Sequence, residues 1–235
     1  MLRRCFSLSE RRTGVTAWLL VLAVCGLLLS GCGDDDNGGV TAEQLTGEGW
    51  TLFEMGEYSA ARAKFEEAVA LDGAFADADN GLGWTWLRLD SLAVAVSSFD
   101  AALAKGLPSA DPYAGQAVAY RDLEPVDLTL AVAAADSALD REIRYTFSHD
   151  PRLDWKDLRL ILAQSYFGLQ RYAEASAQVD SLGGAVPDPN SERFVEELLL
   201  EIERLGDVIA GGAWAPPRSP LSARRIGKPS CEGLP

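Results

Sequence analysis

The chain has 235 residues, 48% of them hydrophobic, which is enough for one packed domain with tails and too apolar for wholesale disorder. Its 21 basic and 35 acidic residues give a net charge of −14. Residues 1–31 hold Arg3, Arg4, Arg11, Arg12 and Glu10, so the remainder carries −17. An acidic body of this kind repels phosphate backbones and anionic lipid surfaces, which argues against nucleic acid as a partner.

Residues 1–14 are polar and basic, and Val15 to Leu29 are almost continuously apolar. That run is short for a spanning helix, which needs roughly 20 residues, and suits the core of a signal peptide. Leu29-Ser30-Gly31-Cys32 follows and resembles the lipobox of bacterial lipoproteins. The resemblance implies removal of 1–31, diacylglycerol on the Cys32 thiol, a fatty acid such as palmitate on the new amino terminus, and tethering to a membrane. It implies the bacterial cell envelope, on the outer membrane facing the periplasm if the source has two membranes. The alternative is an uncleaved signal anchor. Residues 32–41, with Asp34, Asp35, Asp36, Gly38 and Gly39, read as a flexible acidic tether. Cys5 and Cys25 fall in the leader and Cys231 stands by itself near the end, so no disulfide framework is expected. With His149 the only histidine, no metal or cofactor is expected.

From residue 42 the chain repeats itself. A shift of 34 aligns Gly49 with Gly83, Leu52 with Trp86, Ala61 with Ala95, Phe65 with Phe99 and Ala68 with Ala102. Small residues belong where two helices touch, and the phenylalanines fill the space between one hairpin and the next. Gly56 suits the turn between helices. Weaker units follow. Asp111-Pro112 opens a helix broken at Glu124-Pro125, and a second helix carries Leu130, Ala131, Ala134, Ala135, Ala138 and Leu139. A longer stretch, Asp140 to Trp155, contains Tyr145-Thr146-Phe147 and is expected to leave the helical pattern. A fourth unit carries Leu162-Ala163, Tyr166, Tyr172, Ala175 and Val179. Asp188-Pro189 then begins a helix with Phe194, Val195, Leu198, Leu199, Ile202 and Leu205 on one face, which reads as a cap. The proline-rich basic stretch 211–235 reads as disordered.

The period and its small–small–aromatic–small signature resemble the tetratricopeptide repeat over residues 42–183. The implied fold is all-α: a right-handed superhelical solenoid of four hairpins (42–75, 76–109, 110–142, 153–183) with a capping helix at 188–210. Glu48 and Gly73 depart from the family, which has leucine and proline there. Members bind peptides in a concave groove lined by the first helix of each hairpin. Mapping that wall gives Glu43, Thr46, Trp50, Phe53 and Glu54, then Asp77, Asn80, Trp84, Leu87 and Arg88. Tyr120 and Leu123 follow, then Asp157, Leu160, Gln164 and Phe167. The partner-binding set is Trp50, Phe53, Asn80, Trp84, Leu87, Tyr120, Gln164 and Phe167. Trp50, Trp84 and Tyr120 form either a ring shelf for a peptide or ordinary packing between helices, and both readings stay open. Asp77 and Glu43 argue against capture of a terminal carboxylate.

His149-Asp150 has the composition of an acid–base pair but no accompanying nucleophile, and reads equally as a loop. The expected function is therefore that of a membrane-anchored adaptor or scaffold for a protein or peptide partner, with no catalysis. The alternatives are a self-associating structural spacer and a subunit of an enzyme.

Overall fold

In the computed structural model, which describes residues 39–123 and 125–210, the first helix α1 (Ala42–Glu54) starts at Thr41. The Thr41 hydroxyl accepts from Gln44 N while the Gln44 side chain accepts from Thr41 N, so two otherwise orphaned donors are satisfied at once. Helices α2 (Tyr58–Leu71), α3 (Ala76–Arg88), α4 (Leu92–Ala104), α5 (Asp111–Asp122), α6 (Leu128–Arg141), α7 (Trp155–Gly168), α8 (Tyr172–Ser181) and α9 (Phe194–Ala210) follow. The leader, Cys32, nearly all of the tether, and the tail with Cys231 lie outside the described residues.

Each odd-numbered helix from α1 to α7 packs against the even-numbered one after it, and each of α2, α4 and α6 packs against the next first helix. The first helices also meet one another, α1 with α3, α3 with α5 and α5 with α7, while α9 closes on α7 and α8. This is an α-solenoid of four hairpins and a terminal helix. The hairpins are α1–α2, α3–α4, α5–α6 and α7–α8.

Phe65 and Phe99 are wholly buried, and glycine explains how. A β-carbon on Gly49 would stand 2.7 Å from the Phe65 ring, and one on Gly81 only 2.2 Å from it. Gly83 and Gly115 bracket Phe99 in the same way. Each ring thus fills the wedge between its own hairpin and the next, and burying it contributes about 1.5–3 kcal/mol. Within hairpins, Gly56, Asp90 and Gln170 turn the chain with positive φ. Gly56 is the residue best suited to that conformation.

One boundary differs from expectation. Helix α9 begins at Phe194, not at Asp188-Pro189. Asp188 lies between Pro187 and Pro189, and a residue before proline is driven out of the helical region. Its side chain instead accepts from Asn190 N at 2.9 Å, making a turn ahead of the helix. Between the third and fourth hairpins the chain leaves the helical pattern, as expected there. Residues 142–154 form a small hairpin-like loop with an isolated antiparallel bridge from Thr146 to Asp154. Its base is closed by Phe147 N to Leu153 O at 3.0 Å and Trp155 N to Tyr145 O at 2.8 Å. Asp154 then caps α7, paired with Asp157 in a second capping box.

Candidate functional site

The 142–154 loop folds onto the wall of first helices. Tyr145, Phe147 and Leu153 are buried with it. The Phe147 ring stacks on Trp84, centroids 4.0 Å apart at 21°, and meets the edges of Trp50 and Phe53 at 6.0 Å each. His149 lies flat on Trp50 with centroids 3.8 Å apart, and its Nδ1 is 2.8 Å from Glu54 Oε1. At the loop's base, the Tyr145 hydroxyl donates to Asp111 Oδ1 at 2.9 Å.

Asp150 anchors the tip. Its carboxylate pairs with the buried Arg88 guanidinium of α3 and accepts from Arg152 Nε and Nη2 at 2.8 Å each. Burial pushes the Asp150 carboxyl up, but the Arg152 hydrogen bond and the charges of Arg88 and Arg152 outweigh it and hold the carboxyl below its ordinary value. Arg88 is lowered by burial, with Tyr58 and Asp150 opposing. Phe53 and Tyr58 place their rings 5.9 and 5.5 Å from the guanidinium, which suits a cation taken out of water.

The wall residues therefore sit differently from expectation. Trp50, Phe53, Asn80, Trp84 and Leu87 are only 5, 2, 1, 0 and 0% exposed, and most of the rings among them are covered by the chain's own loop. In this conformation they do not offer a free shelf. Trp50 is also tied to α3, its Nε1 donating to Asp77 Oδ2 at 2.9 Å, and Asn80 donates to Asp77 Oδ1 at 3.2 Å. Tyr120 is half-buried and leaves the row: its hydroxyl is raised by burial and by the charges of Asp100 and Asp127, one on α4 and the other capping α6. The 34-residue step from Trp84 lands on Val118, which is buried. Phe167 meets Tyr172 of its own hairpin edge-on at 5.3 Å. Gln164 lies close to Gly206 of the terminal helix.

His149 and Asp150 have separate partners, Glu54 with Trp50 for one and Arg88 with Arg152 for the other, so they do not form a pair. Glu48, at a position the resemblance assigns to leucine, pairs with Lys64 at 2.8 Å. What sequence reading missed was the occupant: Phe147 as the ring on Trp84, and Asp150 as the partner of Arg88. The available signal was Tyr145 and Phe147, alternate aromatics in the insertion, with Leu153 following.

On the far side of the loop, Arg152, Asp154, Lys156 and Asp157 with Val208 and Ile209 of α9 line an open cavity of about 260 Å³. Burial pushes the Asp157 carboxyl up to about 6; the Asp154 backbone hydrogen bond opposes this and the Asp154 charge adds to it. Among the described residues no group of three or more histidine, cysteine or acidic side chains is placed to hold a metal ion.

A solved tetratricopeptide-repeat protein from Parabacteroides merdae superposes with a TM-score of 0.51 at 18% identity, covering 74% of this chain and 67% of that one. The fold is that of tetratricopeptide-repeat proteins. MamA, at 18% identity, has a TM-score of 0.48 over 82% of this chain and 89% of its own. The type IV pilus biogenesis factor PilW, at 19%, also has 0.48, over 67% of each chain. No protein-family model matches the sequence, and comparison with curated proteins likewise finds no match.

Proposed function

We propose that the chain is a lipid-anchored adaptor of the bacterial cell envelope, of the tetratricopeptide-repeat kind, which docks a protein or peptide partner and performs no chemistry of its own. The observation that carries this reading is the occupied wall of first helices. Trp50, Phe53 and Trp84 surround an aromatic ring from a non-helical segment, and buried Arg88 takes its carboxylate. Aromatic rings and arginine in desolvated positions are what interfaces use to hold a partner. The anchoring half rests on the basic leader, the short apolar run and Leu29-Ser30-Gly31-Cys32. Each buried CH₂ adds about 0.8 kcal/mol, so two or three acyl chains hold stably where an acidic body by itself is repelled.

The test uses the full chain expressed in a bacterium with radiolabelled palmitate. The natural chain is expected to be processed, labelled and membrane-bound, and to co-purify with a small reproducible set of envelope proteins. Cys32→Ser is expected to remain an unprocessed, unlabelled precursor. Labelled, cleaved Cys32→Ser would overturn the anchor, and a clean purification with no partner would overturn the adaptor. The filled wall favours a second reading, a self-associating spacer, which predicts a mass that rises with concentration in light scattering.

A further inference from the structure

We propose that the surface between α1 and α3 is a binding site for a turn of another protein, one with an aromatic ring followed three residues later by a carboxylate, and that the 142–154 loop occupies this site in cis until such a turn displaces it. The inference rests on the adaptor reading and names the partner's chemistry.

The loop shows what the site accepts. Phe147 and Asp150 stand at the two ends of one turn, Asp150 N donating to Phe147 O at 3.3 Å. The ring goes to Trp84, Trp50 and Phe53; the carboxylate goes to Arg88. One apolar slot beside one buried cation is a two-point lock, and it reads side chains rather than backbone.

The loop is also longer than its connection requires. Second helices join the next first helix through residues 72–75 and 105–110 in the earlier hairpins, whereas here the join takes 142–154. Its backbone–backbone hydrogen bonds stay within the loop or reach only the flanking α6 and α7: Phe147 N to Leu153 O, Asp150 N to Phe147 O, Leu153 N to Asp150 O, Trp155 N to Tyr145 O and Glu142 N to Ala138 O. The wall grips it through side chains, so it can lift off without breaking a backbone ladder shared with α1 or α3. Thr146, Ser148, Pro151 and Arg152 face solvent, while Tyr145, Phe147, Asp150 and Leu153 are buried against the helices, so the loop binds the wall by one set of side chains.

A tethered occupant competes at an effective concentration in the millimolar range. An outside ligand then sees only the fraction of molecules whose loop is open, and its apparent affinity falls by that fraction. Weakening the loop while sparing the wall should therefore tighten external binding.

The probe is a fluorescent, backbone-cyclised peptide of residues 145–154, measured by anisotropy against the full chain in mild detergent. Phe147→Ala is expected to bind it at least ten-fold more tightly than the natural chain, because the probe returns a ring to the emptied slot. The same probe with alanine at the position of Phe147 should lose that gain. If Phe147→Ala does not keep its helical circular dichroism, His149→Ala, which leaves the buried rings in place, is read by the same criterion. Equal affinity in natural and weakened chains, or no binding to either, would overturn the proposal. So would a doubled mass in light scattering without probe binding, which would mean exchange of loops between two copies. None of these outcomes bears on partner capture by the natural chain, which judges the adaptor reading separately.

Discussion

At Gly81 a single hydrogen decides how closely two hairpins approach. The Phe65 ring lies where a β-carbon would stand, so Gly81→Ala must push either α3 or the ring aside. Overpacking of this kind costs about 1–3 kcal/mol. Gly47 lies on α1 with nothing within 4 Å of the same added atom, and there Gly47→Ala should stabilise by about 0.5–1 kcal/mol through helix propensity. Urea unfolding of the two variants should move the midpoint in opposite directions. A second residue-scale effect belongs to Asp157, whose carboxyl is pushed up to about 6, mainly by burial. A carboxyl raised in the fold favours its protonated form, so its ionisation costs stability above about pH 6. That cost fades as the pH falls toward the unfolded value of about 4. Asp157→Asn should therefore stabilise by on the order of 2 kcal/mol at pH 7.5 and by nothing near pH 4. Thermal melts at the two pH values check the sign.

Among the elements, the 142–154 loop leaves the helical pattern as expected, but its docking on the wall was no part of that expectation. Its anchor is an ion pair with both side chains under 10% exposed, Arg88 at 6% and Asp150 at 8%. Removing one partner strands a buried charge, and Asp150→Ala should cost about 3 kcal/mol. Replacing both, as Arg88→Met with Asp150→Leu, should recover most of that loss, because two apolar side chains need no solvation. A double-mutant cycle by chemical denaturation measures the coupling, and a double variant as unstable as Asp150→Ala would mean that the guanidinium matters for more than the pair. The helices themselves were far more legible. Their small and aromatic positions recur at 34 residues because every hairpin solves the same packing problem, so Gly49, Gly83, Phe65 and Phe99 announce α1 to α4. Asp188 misled because its helix-starting chemistry was spent on a turn to Asn190.

For the whole molecule, most of what organises the solenoid is local. Contacts run between neighbouring helices, and α9 ends the stack by covering α7 and α8. That nearest-neighbour logic is why such a stack leaves a period along the chain. The repeat register assigned Trp50, Phe53, Trp84, Leu87 and Arg88 to the wall of first helices, and α1 and α3 carry them. Whether that surface was open was not legible. Arg88 meets Asp150 across 62 positions, and His149 meets Glu54 across 95. No periodicity connects residues that far apart. The sequence by itself determined the helix hairpins and the small and aromatic residues that pack them, because those depend on contacts within one or two repeats. Only the tertiary structure decided that the chain's own loop lies on that wall, because a thirteen-residue insertion can reach several surfaces and its docking is chosen by shape and charge fit, not by pattern.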